Sequence, residues 1–214
     1  MQELLTVTGL ILKAEPIGEY DRRVVILTKE RGKIAAFARG ARKQNNRFMA
    51  STNPFSFGEF RLYAGRSSYT LAETFISNYF EGLRSDYEGA YYGMYFLELA
   101  DYCTRENNDE REVLKLLYQS LRALTVKSIP RRLVRCIYEI RLIVANGEFP
   151  GLPQGNFSET ALYAVEFIAG TPVEKLYTFT LKEEVLAELV QIAEKYRRDF
   201  LPGEFHTLEI LETL

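Results

Sequence analysis

The sequence predicts an α+β protein in which a small closed barrel of five β-strands is followed by an all-α helical domain. Apolar residues in the first 80 positions form short alternating runs separated by turn residues, as β-strands do. After Phe80 the apolar residues recur at helical spacing. Residues 1–80 also carry 12 Lys and Arg against 7 Asp and Glu, whereas residues 81–214 carry 15 against 22. We therefore expect two domains, 1–80 and 81–214, with a basic working surface on the first.

Turn residues delimit each strand of the predicted barrel. The five strands are expected at residues 5–14, 22–28, 33–39, 54–63 and 69–80. Gly32 suits the positive φ of the hairpin turn before the third strand. The phenylalanines of the fourth strand share one buried face only if Gly58 marks a bulge or bend. Five short strands with one longer polar loop, 40–53, fit the OB-fold.

Capping residues mark the helices of the second domain. Helices are predicted at 87–104, from a cap at 107–109 through 121, from 130 to 146, at 158–169, from 183 to about 202 and at 206–214. Pro130 lies in the first turn of the third helix, and Asn146-Gly147 ends it. Ser158 is a candidate N-cap, and Thr180-Leu181-Lys182-Glu183 has the pattern of a capping box.

Several function classes find no support in the residues. No apolar run reaches the ~18–20 residues of a membrane span, and the N-terminus lacks a signal-peptide pattern, so we expect a cytoplasmic protein without a membrane partner. Cys103 and Cys136, predicted to be buried reduced thiols, cannot form a four-ligand zinc site with the single histidine, His206. We expect no metal, no cofactor and no catalytic set. The segment 40–43 lacks the spacing of a phosphate-binding loop.

The strongest functional signal is a basic segment of 17 residues, 31–47, that contains no acidic residue. Its cations are Arg31, Lys33, Arg39, Arg42, Lys43 and Arg47. By period two, Lys33, Phe37 and Arg39 share one face of the third strand. Cations that meet phosphates beside a ring that stacks on a base suit single-stranded nucleic acid.

Two alternatives for this segment stay open at the level of sequence. The first alternative is a solvated basic loop beside a core strand, which is the usual role of a lone basic loop. Phe37 is also a candidate core residue, because the opposite face of the strand offers only Ile34 and two alanines. Which face of the third strand meets a ligand is therefore undecided.

A second basic group lies in the acidic half of the chain. It consists of Arg122, Arg131, Arg132 and Arg135, with Lys127 nearby. Arg131 and Arg135 share a helix face at i,i+4 spacing. Cations are poorly placed at a helix N-terminus, so this turn invites a partner carboxylate such as an acidic peptide tail. An exposed first turn without a partner is the alternative.

Several spaced elements, in the right order, resemble the RecO family of recombination mediators. They are residues 18–22, 27–33, 38–43 with Arg47, 53–55, 193–196 and 205–211. The resemblance implies an OB-fold, binding and annealing of single-stranded DNA, recombinase loading without catalysis, and two partners: RecR and the acidic tail of the single-strand DNA-binding protein.

The two basic groups, taken together with the resemblance, predict roles for individual residues. The expected principal DNA contacts are Arg39, Arg42, Lys43 and Arg47, with Arg22, Arg23, Lys33 and Arg66 as lesser ones. Arg122, Arg131, Arg132 and Arg135 are the expected receptor for the acidic tail.

Three departures qualify this assignment. Residues 146–158 contain no cysteine, so the zinc module of many relatives is shortened and metal-free here. Gln44-Asn45-Asn46 stands where relatives often place another basic residue, which predicts lower DNA affinity. His206 stands where the tail pattern has a lysine. The rival hypothesis is a protein-interaction module whose barrel binds a peptide, and an enzyme is a distant third.

Overall fold

The computed structural model describes residues 4–65 and 68–213, and it begins with a five-stranded barrel. The strands are β1 Leu4–Ile17, β2 Asp21–Thr28, β3 Gly32–Ala38, β4 Phe57–Ala64 and β5 Tyr69–Asn78. They close in the order β1-β2-β3-β5-β4, with β3 and β5 parallel and the other neighbours antiparallel. The predicted α+β class, with an OB-fold barrel followed by helices, is confirmed.

The alternation of β3 decides which of its faces is the core. Ile34, Ala36 and Ala38 point inward and are buried, whereas Lys33 and Phe37 lie on the half-exposed outer face. Small inward residues suffice because bulky side chains of other elements, such as Phe48 and Phe60, belong to the same core cluster. Phe37 is therefore an outer-face residue, which answers the question that the sequence left open.

Gly58 marks the predicted irregularity in the fourth strand, but the phenylalanines do not share one buried face, since Phe55 and Phe60 are buried and Phe57 is half-exposed. The register between β4 and β5 shifts between Phe57 and Gly58. A Cβ atom at Gly58 would lie 2.2 Å from the backbone oxygen of Phe75, so the two strands approach too closely there for any side chain.

The loop between β3 and β4 differs from the prediction because it contains a short helix, α1, at Phe48–Ser51. The Asn46 side chain accepts a hydrogen bond from the Phe48 amide at 2.8 Å, and the Phe48 ring is buried in the barrel core. One turn of helix is too short to show periodicity, so the pattern of polar residues was a poor guide here.

Seven further α-helices follow in the described residues. They are α2 Glu81–Arg84, α3 Tyr87–Cys103, α4 Arg111–Leu124, α5 Arg131–Ala145, α6 Glu159–Gly170, α7 Glu183–Phe200 and α8 His206–Leu211, with a 3-10 turn at Val173–Lys175. Ser158 caps α6 as predicted, since its hydroxyl accepts from the Ala161 amide at 3.2 Å. The predicted capping box at residues 180–183 was wrong. Lys182, and not Thr180, is the N-cap of α7, which begins at Glu183.

The chain forms two compact units. The barrel unit comprises the described residues up to Arg84 together with 97–114, and the helical unit comprises 85–96 and 115–213. The predicted domain limits at residue 80 stay a prediction. In the helical unit, Tyr138 of α5 stacks on Phe96 at 4.3 Å between ring centroids and donates a hydrogen bond to its carbonyl at 2.9 Å.

Neither cysteine forms a disulfide, as predicted, but only one of the two is buried. Cys136 lies in the core, where burial raises the pKa of its thiol, whereas Cys103 is half-buried. Among the described residues, no group of three or more Cys, His, Asp and Glu side chains is placed to hold a metal ion. Within the same residues, no helix has both the length and the apolarity needed to cross a membrane.

Candidate nucleic-acid interface

Four exposed cations lie on the loop that follows β3. We call residues 39–47 the basic loop, and its cations are Arg39, Arg42, Lys43 and Arg47. None of the four forms an ion pair with a carboxylate of the described residues. Their charges are therefore available to an external anion.

Backbone hydrogen bonds fix the basic loop to the turn between β1 and β2. The Gly40 amide donates to the Asp21 carboxylate at 2.7 Å, and the Arg42 amide donates to the Tyr20 carbonyl at 2.8 Å. Gly40 has a φ of 67°, which favours glycine at this position. The Lys43 ammonium lies 5.0 Å from the centroid of the Tyr20 ring, which is 44% exposed. The loop thus presents cations beside an accessible aromatic ring.

Arg22 and Arg47 are tied to neutral acceptors of the barrel. Arg22 donates to the Met49 carbonyl at 3.0 Å and to the Thr52 and Asn53 side chains at 2.9 Å each. Burial, and then the nearby charge of Arg42, lower the pKa of Arg22. Arg47 donates to a backbone carbonyl of β5 at 2.6 Å. Neither arginine is paired with a carboxylate of residues 4–65 or 68–213, so positive charge accumulates at this end of the barrel.

Two other predicted DNA contacts are already paired with acids. Lys33 forms an ion pair with Asp101 at 2.8 Å, and Arg23 forms one with Glu15 at 3.2 Å. Lys33 also lies six residues from Arg39, about 20 Å along the strand at ~3.3 Å per residue. The structure therefore does not bring Lys33 to the basic loop. Arg66, the eighth predicted contact, lies outside the described residues.

A groove of about 540 Å³ runs over the outer face of the barrel between β3 and β5. Among the described residues, these strands pair at Ala36 with Tyr69 and at Phe37 with Thr70. The groove is lined by the rings of Phe37 and Tyr69, and by Arg23, Glu106 and Asn107. Phe37 stands two residues before Arg39, so the groove begins about 7 Å from the basic loop along the chain.

Sequence reasoning missed the aromatic partners of these cations. Tyr20 stood in the turn before β2 and Tyr69 was the first residue of the fifth strand, but neither was assigned a role. Their placement depends on how the turn and the strand pair across the barrel. The sequence did offer one indication, because each of these tyrosines stands directly next to a predicted turn that adjoins a strand of the barrel.

The arginines of the helical unit are placed differently. Arg131 is paired with Asp86 and Glu88, and Arg132 is paired with Glu183 at 3.0 Å. Arg122 is exposed in the last turn of α4, without an acidic partner among the described residues. The expected tail receptor is therefore not one cluster of free cations.

Arg135 is the most buried of these arginines. Its guanidinium donates to Glu139 at 2.8 Å, and the Tyr95 hydroxyl donates to the same carboxylate oxygen at 2.7 Å. Burial and the charge of Glu139 raise the pKa of Tyr95 well above its ordinary value, so this phenol stays protonated. One nitrogen of Arg135 and one oxygen of Glu139 are buried without a partner. Both side chains line a cavity of about 210 Å³ with Arg132.

The comparisons with known proteins agree on one family. The family model "Recombination protein O N terminal" matches residues 1–80, and "Recombination protein O C terminal" matches residues 84–154. The chain is 26% identical to the DNA repair protein RecO of Acetivibrio thermocellus over 98% of its own length and 97% of the relative's. It is 36% identical to that of Clostridium novyi over 65% and 54%, and 27% identical to that of Clostridium perfringens over 86% and 87%.

Proposed function

Because the chain belongs to the RecO family of DNA repair and recombination proteins, we propose that its barrel binds single-stranded DNA. The chain would anneal complementary strands and help to load a recombinase onto strands coated by the single-strand DNA-binding protein, acting by binding alone, without cofactor or metal. The observation that carries this proposal is the basic loop, whose four exposed cations have no acidic partner among the described residues.

The surroundings of the basic loop favour single strands over duplex. Cations bind the phosphates of either form, but stacking on protein rings requires bases that are free of a partner strand. Tyr20 beside Lys43, and Phe37 and Tyr69 in the groove, offer such rings near the basic loop. An interface of this kind tolerates many sequences, because every base has a face that stacks.

The proposal ranks the eight predicted DNA contacts by their present partners. Arg39, Arg42, Lys43 and Arg47 are the principal phosphate contacts. Arg23 and Lys33 contribute less because each is paired with a carboxylate of the barrel unit. Arg22 contributes less because it is half-buried and donates to three acceptors, whereas Arg47 is exposed and donates to one carbonyl. Arg66 is retained as a lesser contact because it belongs to the cations of the basic N-terminal third of the sequence.

The helical unit would bind protein partners. We place the acidic tail of the single-strand DNA-binding protein on Arg122, Arg131, Arg132 and Arg135, supported by the cavity that Arg132 and Arg135 line. Arg132 is the most accessible of the paired arginines, since half of its side chain is exposed and its pair with Glu183 lies at the surface. Exchanging that weak pair for a tail carboxylate costs little. RecR is the second proposed partner, on family grounds.

A charge-reversal experiment tests the DNA-binding proposal. In a triple variant, Arg39, Arg42 and Arg47 are each replaced by Glu, and binding to a labelled single-stranded oligonucleotide is measured by fluorescence anisotropy. We expect a loss of at least about 100-fold, because reversal removes attraction and adds repulsion at each phosphate. The matched control reverses Lys182, Lys195 and Arg198, three exposed cations of the helical unit, and should change affinity far less.

The same variants separate the proposal from its rival. If the barrel is a peptide-binding module, the triple variant loses a protein partner while single-strand binding stays unchanged. Equal losses in the triple variant and its control would also contradict the proposal, since binding would then follow net charge rather than the basic loop.

A further inference from the structure

One wall of the groove is a short segment, 105–107, that is attached to the start of β3. The Lys33 amide donates to the Arg105 carbonyl at 3.0 Å, and the Asn107 amide donates to the Arg31 carbonyl at 3.0 Å. Gly32 and Glu106 form a β-bridge between the two bonds. The segment is therefore an added edge of the sheet, and it holds Glu106 and Asn107 at the groove.

The local backbone requires this close approach. Gly32 has a φ of 64°, and a Cβ atom there would lie 2.3 Å from the Arg105 carbonyl oxygen. Asn107 has a φ of 63°, a left-handed conformation that asparagine tolerates better than most residues. Both residues with positive φ lie where segment 105–107 meets the start of β3. The position of this wall is therefore set by backbone geometry rather than by a flexible side chain.

The groove has a chemistry that differs from that of the basic loop. Two rings, Phe37 and Tyr69, face a carboxylate and an amide on the wall. Glu106 accepts a hydrogen bond from the Tyr69 hydroxyl at 3.4 Å. Arg23, the cation among the described residues that line the groove, is paired with Glu15. A carboxylate accepts hydrogen bonds and repels phosphate, so this end of the groove suits a planar, uncharged group that donates hydrogen bonds.

From this arrangement we infer that the groove holds one unstacked base and that Glu106 makes it favour bases with an exocyclic amino group over thymine. Cytosine, adenine and guanine each present an amino donor to the carboxylate, and acidic side chains accept from the cytosine amino group in known DNA readers. Thymine has a single ring N–H between two carbonyl oxygens, which the carboxylate repels. This inference rests on the proposed single-strand binding and adds a preference to it.

Two short homopolymers measure this preference. Binding of the wild-type protein to deoxycytidine and deoxythymidine oligonucleotides of equal length is compared with binding of Glu106→Gln. Because thymidine oligomers are intrinsically more flexible, the informative quantity is the change in the affinity ratio caused by the variant. We expect the ratio to shift toward thymidine by about fivefold or more, since the amide of Gln offers a donor to a thymine carbonyl.

The matched control is Glu59→Gln. Glu59 lies on β4, its side chain is 43% exposed, and its carboxylate lies 3.5 Å from the Arg61 guanidinium. Its replacement removes the same charge from the barrel without altering the groove. Any general gain in DNA affinity from losing a negative charge is therefore seen in both variants, and only Glu106→Gln should change the ratio.

The outcomes distinguish this inference from the proposal beneath it. Tight binding of both oligomers with the same affinity ratio in wild type and Glu106→Gln overturns the base preference alone, and would leave the groove to another occupant such as a peptide. Failure of the wild-type protein to bind either oligomer at low salt overturns the proposed function and this inference together.

Discussion

The barrel unit and the helical unit each carry a group of arginines, but the two groups are held in opposite ways. In the barrel unit, the cations of the basic loop are fixed through their backbone or neutral oxygens, and their charges meet no carboxylate of the described residues. In the helical unit, Arg131, Arg132 and Arg135 each bind an acidic side chain. The cations of the basic loop therefore remain available to a ligand. The three arginines of the helical unit are instead paired with carboxylates of the protein itself.

This difference teaches that a basic run in the sequence does not by itself indicate a binding surface. Both groups consist of four cations, which lie within residues 39–47 of the barrel unit and within residues 122–135 of the helical unit. Whether a cation remains available to a ligand depends on whether an acidic side chain pairs with it. Such acidic side chains come from parts of the chain that are distant in sequence. The comparison therefore predicts that substitutions in the two groups affect different properties: stability or protein-partner binding in the helical unit, and DNA binding in the barrel unit.

The largest expected effect is on stability, at the buried pair of the helical unit. Glu139 is 1% exposed, and replacing it by alanine would leave the Arg135 charge buried without a counter-charge. We expect Glu139→Ala to lower the free energy of unfolding by about 3–5 kcal/mol. Urea denaturation measures this, with Glu183→Ala as the control for an exposed pair, where the loss should stay below about 1 kcal/mol. Similar losses in the two variants would remove the distinction between buried and surface pairs.

An intermediate effect is expected on partner binding by the helical unit. Arg132→Glu should weaken binding of a labelled acidic tail peptide about tenfold, a typical cost for a charge-assisted contact at a partly exposed site. Single-strand binding should stay unchanged, because Arg132 does not belong to the proposed DNA site. Lys195→Glu, also exposed on this unit, serves as the control. If both variants bind the peptide with wild-type affinity, the tail binds elsewhere.

The smallest effect compares two cations of the barrel itself. Arg39→Gln should weaken single-strand binding about three- to fivefold, whereas Lys33→Gln should change it by less than about twofold, since Lys33 already binds Asp101. Fluorescence anisotropy at a fixed low salt concentration resolves this difference. If Lys33→Gln lost more single-strand affinity than Arg39→Gln, the DNA would bind near the start of β3 and not at the basic loop that follows its end.

The barrel was largely predictable from sequence because its determinants are local. Alternation along the strands, the turn at Gly32 and the irregularity at Gly58 are each set by a few neighbouring residues. The core face of β3 was not predictable, since Ile34 and two alanines look too small for a core until Phe48 and Phe60 fill the same space.

The candidate site was predictable only in part, for the same reason. The cations of the basic loop were visible in the sequence, but it did not show that they lack acidic partners in the part of the chain that the structure describes. Arg131 binds Asp86 and Glu88, which lie more than 40 positions away in the sequence, and Lys33 binds Asp101, which lies 68 positions away. Contacts over such distances depend on tertiary packing, which periodicity does not encode.

The salt dependence of single-strand binding tests the central claim most directly. Each phosphate contact made by a cation contributes roughly −0.7 to the slope of log affinity against log salt concentration. We predict that replacing Arg39, Arg42, Lys43 and Arg47 together by Gln makes the wild-type slope shallower by roughly 3. The corresponding replacement of Arg122, Arg131 and Arg132 should leave the slope unchanged. A slope that responds equally to both sets, or to neither, would contradict the claim that the basic loop holds the DNA.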